Sequence, residues 1–235
     1  MSLLETRDLS KSFAGLKAVE GVDFSLEKGE VRALIGPNGA GKTTFVGLIC
    51  GRITPSRGTV HFGGQDITKM PAHARIRAGM AYTFQITSVF PGLPVLENVA
   101  LAARQSLNGP EAEVAAQDAL TRVGLGDQAQ KDAGDMAYGH QRLLEIAMGL
   151  VQNPRLLILD EPTQGLTDSE IESFVAMIRG LKAQTTVLLI EHNMSVVMEA
   201  ADQVTVMEFG EILAEGTPEA IRADAAVQAA YLGTG

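Results

Sequence analysis

The chain has 235 residues, 46% hydrophobic and 20% charged, a balance that excludes a disordered segment and suits a packed domain with a buried core. Its formal net charge of −9 argues against nucleic acid as the main partner, because phosphate backbones are held by basic faces. One cysteine, Cys50, leaves no intramolecular disulfide to form and fits a reducing compartment; it falls in an apolar helical pattern, which reads as packing.

The opening residues carry Glu5, Arg7 and Asp8, too much early charge for a signal peptide, so no leader is expected. No uncharged apolar run approaches the roughly 18 residues that mark a membrane span. If the protein acts at a membrane, other chains supply the spans. Leu3–Leu9, Val22–Leu26 and Val31–Ile35 are apolar or alternating and predict strands, with Lys28-Gly29 turning between the last two. After the glycine-rich stretch Gly36–Thr44, Lys42–Cys50 predicts a helix stopped by Gly51. Thr59–Phe62 predicts a strand closed by Gly63-Gly64, and Met80–Phe84 another. Between them Lys69, His73, Arg75 and Arg77 read as a solvated helix face.

The composition then turns alanine-rich. Leu93–Ser106 and Glu111–Val123 predict helices parted by Asn108-Gly109-Pro110, and Gly139–Val151 predicts a third. A helical lobe from Ile86 to about Asn153 is thus inserted into an α/β core. The core resumes with Leu156–Leu159. Thr167-Asp168-Ser169-Glu170 has capping-box form ahead of an apolar face of Ile171, Phe174, Val175, Ile178 and Leu181. Thr186–Ile190 predicts a strand and Met194–Ala200 a helix. Val204–Glu208 and Ile212–Glu215 predict a strand pair turned at Gly210, and two short helices finish the chain.

Two motifs carry chemistry. Gly36-Pro37-Asn38-Gly39-Ala40-Gly41-Lys42-Thr43-Thr44 fits G-x-x-x-x-G-K-[ST] in full, between a predicted strand and a predicted helix. Its glycines let the backbone curl so that successive N–H groups face phosphate oxygens, and the following helix brings its positive end to the same anion. Lys42 reaches the β- and γ-phosphates, and the Thr43 hydroxyl ligates Mg²⁺. The second motif is the apolar run Leu156–Leu159 ending in Asp160 and Glu161. A buried parallel strand delivers both acids to its C-terminal edge, where α/β folds place ligands. Asp160 is placed to hold Mg²⁺ through water. Glu161, pointing the other way in an extended strand, polarises an attacking water. A strand that merely ends at the surface in two acids is the alternative, and the glycine loop upstream argues against it.

In this order the motifs resemble the nucleotide-binding subunit of an ABC transporter over nearly the whole chain. Gln85, in Tyr82-Thr83-Phe84-Gln85, stands where that family has its Q-loop glutamine. Ala137, Tyr138, Gly139 and His140 stand in its signature motif, and His192 matches its switch histidine. Phe13 matches the aromatic that stacks on adenine, although read alone it is a core residue. The resemblance implies one α/β domain over residues 1–235. It would comprise a P-loop NTPase core, a β-rich N-terminal subdomain, a helical subdomain at about 86–153 and C-terminal helices at about 217–232. It also implies ATP and Mg²⁺ as cofactors. Gln85 then senses the γ-phosphate site through Mg²⁺ or water, and His192 donates to the γ-phosphate. Gly139 opens a second positive helix end that closes over ATP in the opposite subunit, so a homo- or heterodimer is implied. The further partners implied are transmembrane permease subunits and, indirectly, a substrate-binding protein, with the chain peripheral on the cytoplasmic face of the membrane.

Two positions depart from the family. Ala137-Tyr138-Gly139-His140 replaces the usual Ser-Gly-Gly-Gln, and Thr167 replaces the D-loop aspartate, with Asp168 one place late. The tyrosine form of the signature, Phe90–Val99 and the tail at Gly216–Ile221 and Ala230–Gly233 are similar to the ATPases of branched-chain amino acid importers. Relatives of that subfamily serve urea, short amides or aromatic acids, and a lipopolysaccharide-export ATPase is close in pattern. A soluble ABC ATPase working on DNA or ribosomes is the competing class. It is disfavoured by the acidic charge and by the lack of a tandem motor domain or a long coiled-coil insertion. A module that only binds ATP is disfavoured by Glu161 and His192.

Overall fold

The computed structural model describes residues 2–83 and 89–232. Three short apolar runs, β3 (Val31–Ile35), β7 (Leu156–Asp160) and β8 (Thr186–Ile190), are buried at every position. Strands covered on both faces read as continuous apolar runs and belong in a parallel sheet. That sheet is six-stranded, in the order β10-β9-β3-β8-β7-β6. Its other members are β6 (Met80–Tyr82), β9 (Gln203–Glu208) and β10 (Glu211–Gly216). Only the β9–β10 pair is antiparallel. The register aligns Leu34 with Ile190 and Ile190 with Asp160, so three strands end level at one edge.

A second, antiparallel sheet of order β2-β1-β4-β5 stands beside it. It comprises β1 (Ser2–Phe13), β2 (Leu16–Glu27), β4 (Arg57–Phe62) and β5 (Gln65–Asp66). The first hairpin is longer than Leu3–Leu9 and Val22–Leu26 suggest. Its tip, from Ser12 to Lys17, is exposed, and register shifts break the alternation in the outer half, with Asp8 and Gly21 both at positive φ. Helix α1 (Lys42–Ile49) packs between the sheets, where Phe45 meets Phe24 edge-on at 5.4 Å.

The lobe contains α3 (Val95–Ala103), α4 (Gly109–Arg122) and α5 (Tyr138–Leu150). Leu144, Ile146 and Leu150 of α5 share one apolar cluster with Leu157 and Leu159 of β7, so the lobe is seated directly on the sheet. Asn108, expected as a separator, is the cap of α4 and forms a capping box with Glu111. Helix α6 (Asp168–Leu181) buries Phe174, Val175, Ile178 and Leu181, the face that the spacing marks out. The chain ends with α7 (Met194–Ala200), α8 (Pro218–Ala223) and α9 (Ala225–Leu232). Cys50 is buried, and burial pushes its thiol up to about 12.

One expectation fails at α2 (Ala72–Arg77). Arg75 is not on a solvated face; it is 2% exposed. Its guanidinium donates to Leu48 O at 2.8 Å, Ile49 O at 2.5 Å, Met70 O at 2.9 Å and Thr68 O at 3.1 Å. A cation therefore closes the C-terminal carbonyls of α1, which have no partner within their own helix. Gly51 leaves room for it, since a Cβ there would lie 2.6 Å from Arg75 Nε. Surrounding alanines and charges hid this role, which depends on a partner helix elsewhere in the chain.

Replacing Arg75 by Met keeps the volume but removes the guanidinium donors from these carbonyls, of which Leu48 O alone keeps a backbone donor, Gly51 N at 3.2 Å. Urea unfolding should show a loss of about 3 kcal/mol; a loss under ~1 kcal/mol would mean that the carbonyls find other partners. A second prediction concerns the cap of α6. Glu170 Oε2 accepts from Thr167 N at 2.7 Å and from the Thr167 hydroxyl at 2.8 Å, and His140 Nε2 lies 2.6 Å from Oε1. These bonds, the backbone one foremost, pull the Glu170 carboxyl from its ordinary 4.5 down to about 2. A depressed acid contributes stability in full above its unfolded value and loses it as pH falls through the folded one. Melting temperatures of the wild type and Glu170→Gln should therefore differ most above pH 4.5 and converge toward pH 2. A constant gap across that range would contradict the assignment.

Candidate active site

The site is built where the level strand ends meet. The chain leaves β3 at Gly36, whose φ is +153°, and a Cβ there would lie 2.2 Å from Met207 O. It re-enters helix at Gly41, φ +98°, where a Cβ would lie 2.4 Å from Ala18 O. Only glycine permits both the conformation and the approach. The loop is clamped from outside as well, because Gly210 N donates to Ala40 O at 3.0 Å. Helix α1 then starts at Lys42 with no acidic residue in its first turn, so its positive end faces the loop uncompensated. Lys42 Nζ donates to Gly36 O at 2.6 Å and Pro37 O at 3.0 Å. Burial lowers the Lys42 pKa, against the pull of Glu161 and Asp160.

A cavity of about 390 Å³ opens over this loop. Asn38, Gly39, Ala40, Gly41, Lys42, Thr43 and Thr44 line one side, and Asp160, Glu161 and His192 line the other. Asp160 ends β7 and is 4% exposed. Burial raises its pKa, opposed by the hydrogen bond that Tyr82 Oη donates to its Oδ2 at 2.9 Å. Glu161 corrects one expectation. It is not an extended residue facing away from Asp160. It leaves the strand at φ +49°, its N donating to Ile190 O at 2.9 Å, and lines the same cavity. A left-handed non-glycine residue costs on the order of 1 kcal/mol and is a recurrent mark of functional sites. It brings Glu161 Oε1 to 2.9 Å from His192 Nε2.

Glu191 was not singled out by the sequence reading, yet it holds this arrangement. It is 3% exposed, and its carboxylate accepts from His192 N at 2.9 Å, Asn193 N at 3.1 Å and Thr163 N at 3.2 Å, and from the Thr163 hydroxyl. The buried acid thus pins the His192 loop to the loop after Glu161. An acid directly after an apolar strand was the available signal, but His192 beside it drew the reading.

Other candidates lie apart from the cavity. Ala137 is the cap residue of α5, followed by Tyr138, Gly139 and His140 in its first turn. Gly139 lies against the loop before α6: a Cβ there would be 2.5 Å from Gly165 O. Tyr138 Oη accepts from Arg142 Nη2 at 2.8 Å, and His140 faces Glu170. The segment therefore stands on the 164–167 loop and the first turn of α6 of its own chain, outside the cavity that Lys42 lines. Phe13 is not a core residue: it is 45% exposed at the end of β1, with Lys11 Nζ 5.0 Å from its ring centroid. Leu16, Lys17, Ala18 and Phe209, rather than Phe13, complete the cavity wall. Gln85 lies outside the described residues.

The donor set fits a magnesium nucleotide. Backbone N–H groups at a helix start and a lysine suit a polyphosphate, while a hydroxyl at Thr43 and a buried carboxylate at Asp160 suit a hard divalent cation.

Comparison with known proteins agrees with this geometry. A family described as ABC transporter matches residues 19–164, and one described as branched-chain amino acid ATP-binding cassette transporter matches residues 211–235. The chain is 39% identical to the high-affinity branched-chain amino acid transport ATP-binding protein BraF of Pseudomonas aeruginosa, covering 98% of each chain. It is equally similar, at 39% and 98% of each, to LivG of Escherichia coli, which bears the same description. Among solved structures, a nucleotide-free ATP-binding cassette from an ABC transporter superposes with a TM-score of 0.89 at 29% identity, over 98% of this chain and 99% of that one. A cassette in its ADP conformation gives 0.88 at 29%, over 99% of both. A match to the family over more than half of the chain, full-length relatives and a phosphate loop facing Asp160 and Glu161 lead to one conclusion: this chain belongs to the ABC transporter family, as an ATP-binding, ATP-hydrolysing subunit.

Proposed function

We propose that this subunit powers an importer of branched-chain amino acids. What carries the reading is the C-terminal match at residues 211–235 on a cassette whose level strand ends bring Lys42, Asp160, Glu161 and His192 to one cavity. The loop Gly36–Thr44 receives the phosphates of ATP, and Lys42 exchanges the carbonyls of Gly36 and Pro37 for the β- and γ-phosphates. Thr43 and Asp160 hold Mg²⁺, with Gln85 as a further contact; when bound, the ion neutralises charge developing on the phosphates. Glu161 orients and deprotonates the attacking water. His192, held by Glu161 and the Glu191 loop, donates to the γ-phosphate. Positioning and charge stabilisation suffice for phosphoryl transfer, with no covalent intermediate on the protein. Phe13 serves adenine from beyond the cavity rim, alongside the apolar wall of Leu16 and Ala18.

The α5 start at Ala137–His140 cannot serve its own chain's loop from where it stands, which supports a second ATPase subunit, identical or homologous, whose Gly139 end closes over the γ-phosphate. Among the described residues no helix is long and apolar enough to cross a membrane. The description of the relatives as transport ATP-binding proteins supports separate permease subunits, with this chain peripheral on the cytoplasmic face. The permease contact is an apolar groove of about 380 Å³ lined by Ile76, Phe90, Leu101 and Met148, where three exposed large hydrophobics gather. A periplasmic substrate-binding protein acts through the permease and does not touch this chain.

Lys42→Ala should lower ATP turnover by at least about 100-fold; turnover near wild type would remove the phosphate loop from the mechanism. For the substrate, the chain should co-purify from its native membranes with a permease that takes up leucine when reconstituted. Uptake of urea, an aromatic acid or no amino acid at all would reassign the transporter while leaving the ATPase in place.

A further inference from the structure

Tyr82 closes β6, and neither the phosphate motifs nor the matched families give it a role. We propose that Tyr82 is a positioning residue for the divalent-cation site, its phenol fixing the Asp160 carboxylate that receives the cation. The inference rests on the reading of Asp160 as the carboxylate that holds that cation through water.

The geometry comes from the sheet. Strand β6 runs parallel to β7 with Tyr82 opposite Ile158, two residues before Asp160. Residues two apart on a strand share a face, so a side chain as long as tyrosine reaches along β7 to its end. The phenol O–H donates to Asp160 Oδ2 at 2.9 Å. The next residue completes the grip, since Asp160 N donates to Thr83 Oγ1 at 3.4 Å and Thr83 N donates to Ile158 O at 3.0 Å. The ring is itself held, with the Arg52 guanidinium 5.7 Å from its centroid and the buried cluster of β3, β7 and α1 behind it. An acid that is 4% exposed has little water to orient it, so protein donors decide which way its oxygens point. Partners that orient a metal-binding carboxylate from behind commonly contribute ten- to a hundredfold in metal affinity.

Tyr82→Phe removes the hydroxyl alone and keeps the ring that Arg52 packs on. Free Mn²⁺, followed by electron paramagnetic resonance, is titrated with protein and ADP and corrected for ADP alone. Turnover is measured across Mg²⁺ concentrations, with melting temperature and Asp160→Asn run in parallel. The expected result is a rise of about tenfold in the apparent Mn²⁺ dissociation constant. A matching rise in the Mg²⁺ needed for half-maximal turnover is expected with it, the lost rate returning as Mg²⁺ is raised. Mn²⁺ binding within about twofold of wild type would overturn the proposal, as would a turnover loss that no Mg²⁺ concentration restores. If Asp160→Asn binds Mn²⁺ normally, the cation reading of Asp160 falls with it. If Asp160→Asn loses Mn²⁺ while Tyr82→Phe does not, only the role of Tyr82 falls.

Discussion

Parallel pairing of β3, β8 and β7 aligns Leu34, Ile190 and Asp160 across three neighbouring strands. Everything that follows these residues is thereby delivered to one edge: the glycine loop after β3, Glu161 after β7, and Glu191 with His192 after β8. Because side chains alternate along a strand, a slip of one residue would turn Asp160 away from the loop and send every side chain of the strand to the opposite face. Complete burial of all three strands makes such a slip costly, since each carries apolar residues on both sides. Packing of the core and alignment of the chemistry are thus one constraint, and the apolar residues of β3, β7 and β8 supply it.

Buried charges then refine what the sheet delivers. Glu191 ties the His192 loop to Thr163, and Arg75 closes the end of the helix whose beginning cradles the phosphate loop. The two positions where the chain departs from the family's usual pattern are linked in space. His140, in the segment that resembles the family's signature, meets Glu170, and Glu170 caps α6 through Thr167, the residue that the resemblance sets against the D-loop aspartate. The aspartate replaced by Thr167 is therefore answered by a capping box, and the glutamine replaced by His140 by a histidine–carboxylate contact. Tyr138, where glycine is usual, accepts a hydrogen bond from the Arg142 guanidinium on its hydroxyl. In this chain the Ala137–His140 segment and the loop before α6 are clasped side by side, with the Gly139 backbone close against Gly165.

Much of this was legible in the sequence because it is local. The strand–glycine loop–helix series, the capping box at Thr167 and the apolar face of α6 are each set by residues within a few positions of one another. What escaped depends on partners far along the chain. Arg75 looks like surface until the C-terminus of α1 is brought against it. Glu161 looks extended because period-two reasoning does not foresee a left-handed residue at a strand end. The outer half of the first hairpin is irregular in register and exposed at its tip, so alternation does not reveal it. Phe13 is aromatic and reads as core, yet the hairpin holds it out in solvent. Tyr82 and Glu191 carry no motif of their own, since their roles come from the register of β6 on β7 and from the crossing of two loops.

The central claim is that the level strand ends make Glu161 the residue that turns bound ATP into hydrolysed ATP. A single-turnover measurement with radiolabelled ATP and Mg²⁺ on Glu161→Gln tests it most directly. The account predicts ATP binding close to that of the wild type and hydrolysis slowed by at least about 100-fold, since the general base is gone and the phosphate loop is intact. Hydrolysis at the wild-type rate in that variant would contradict it.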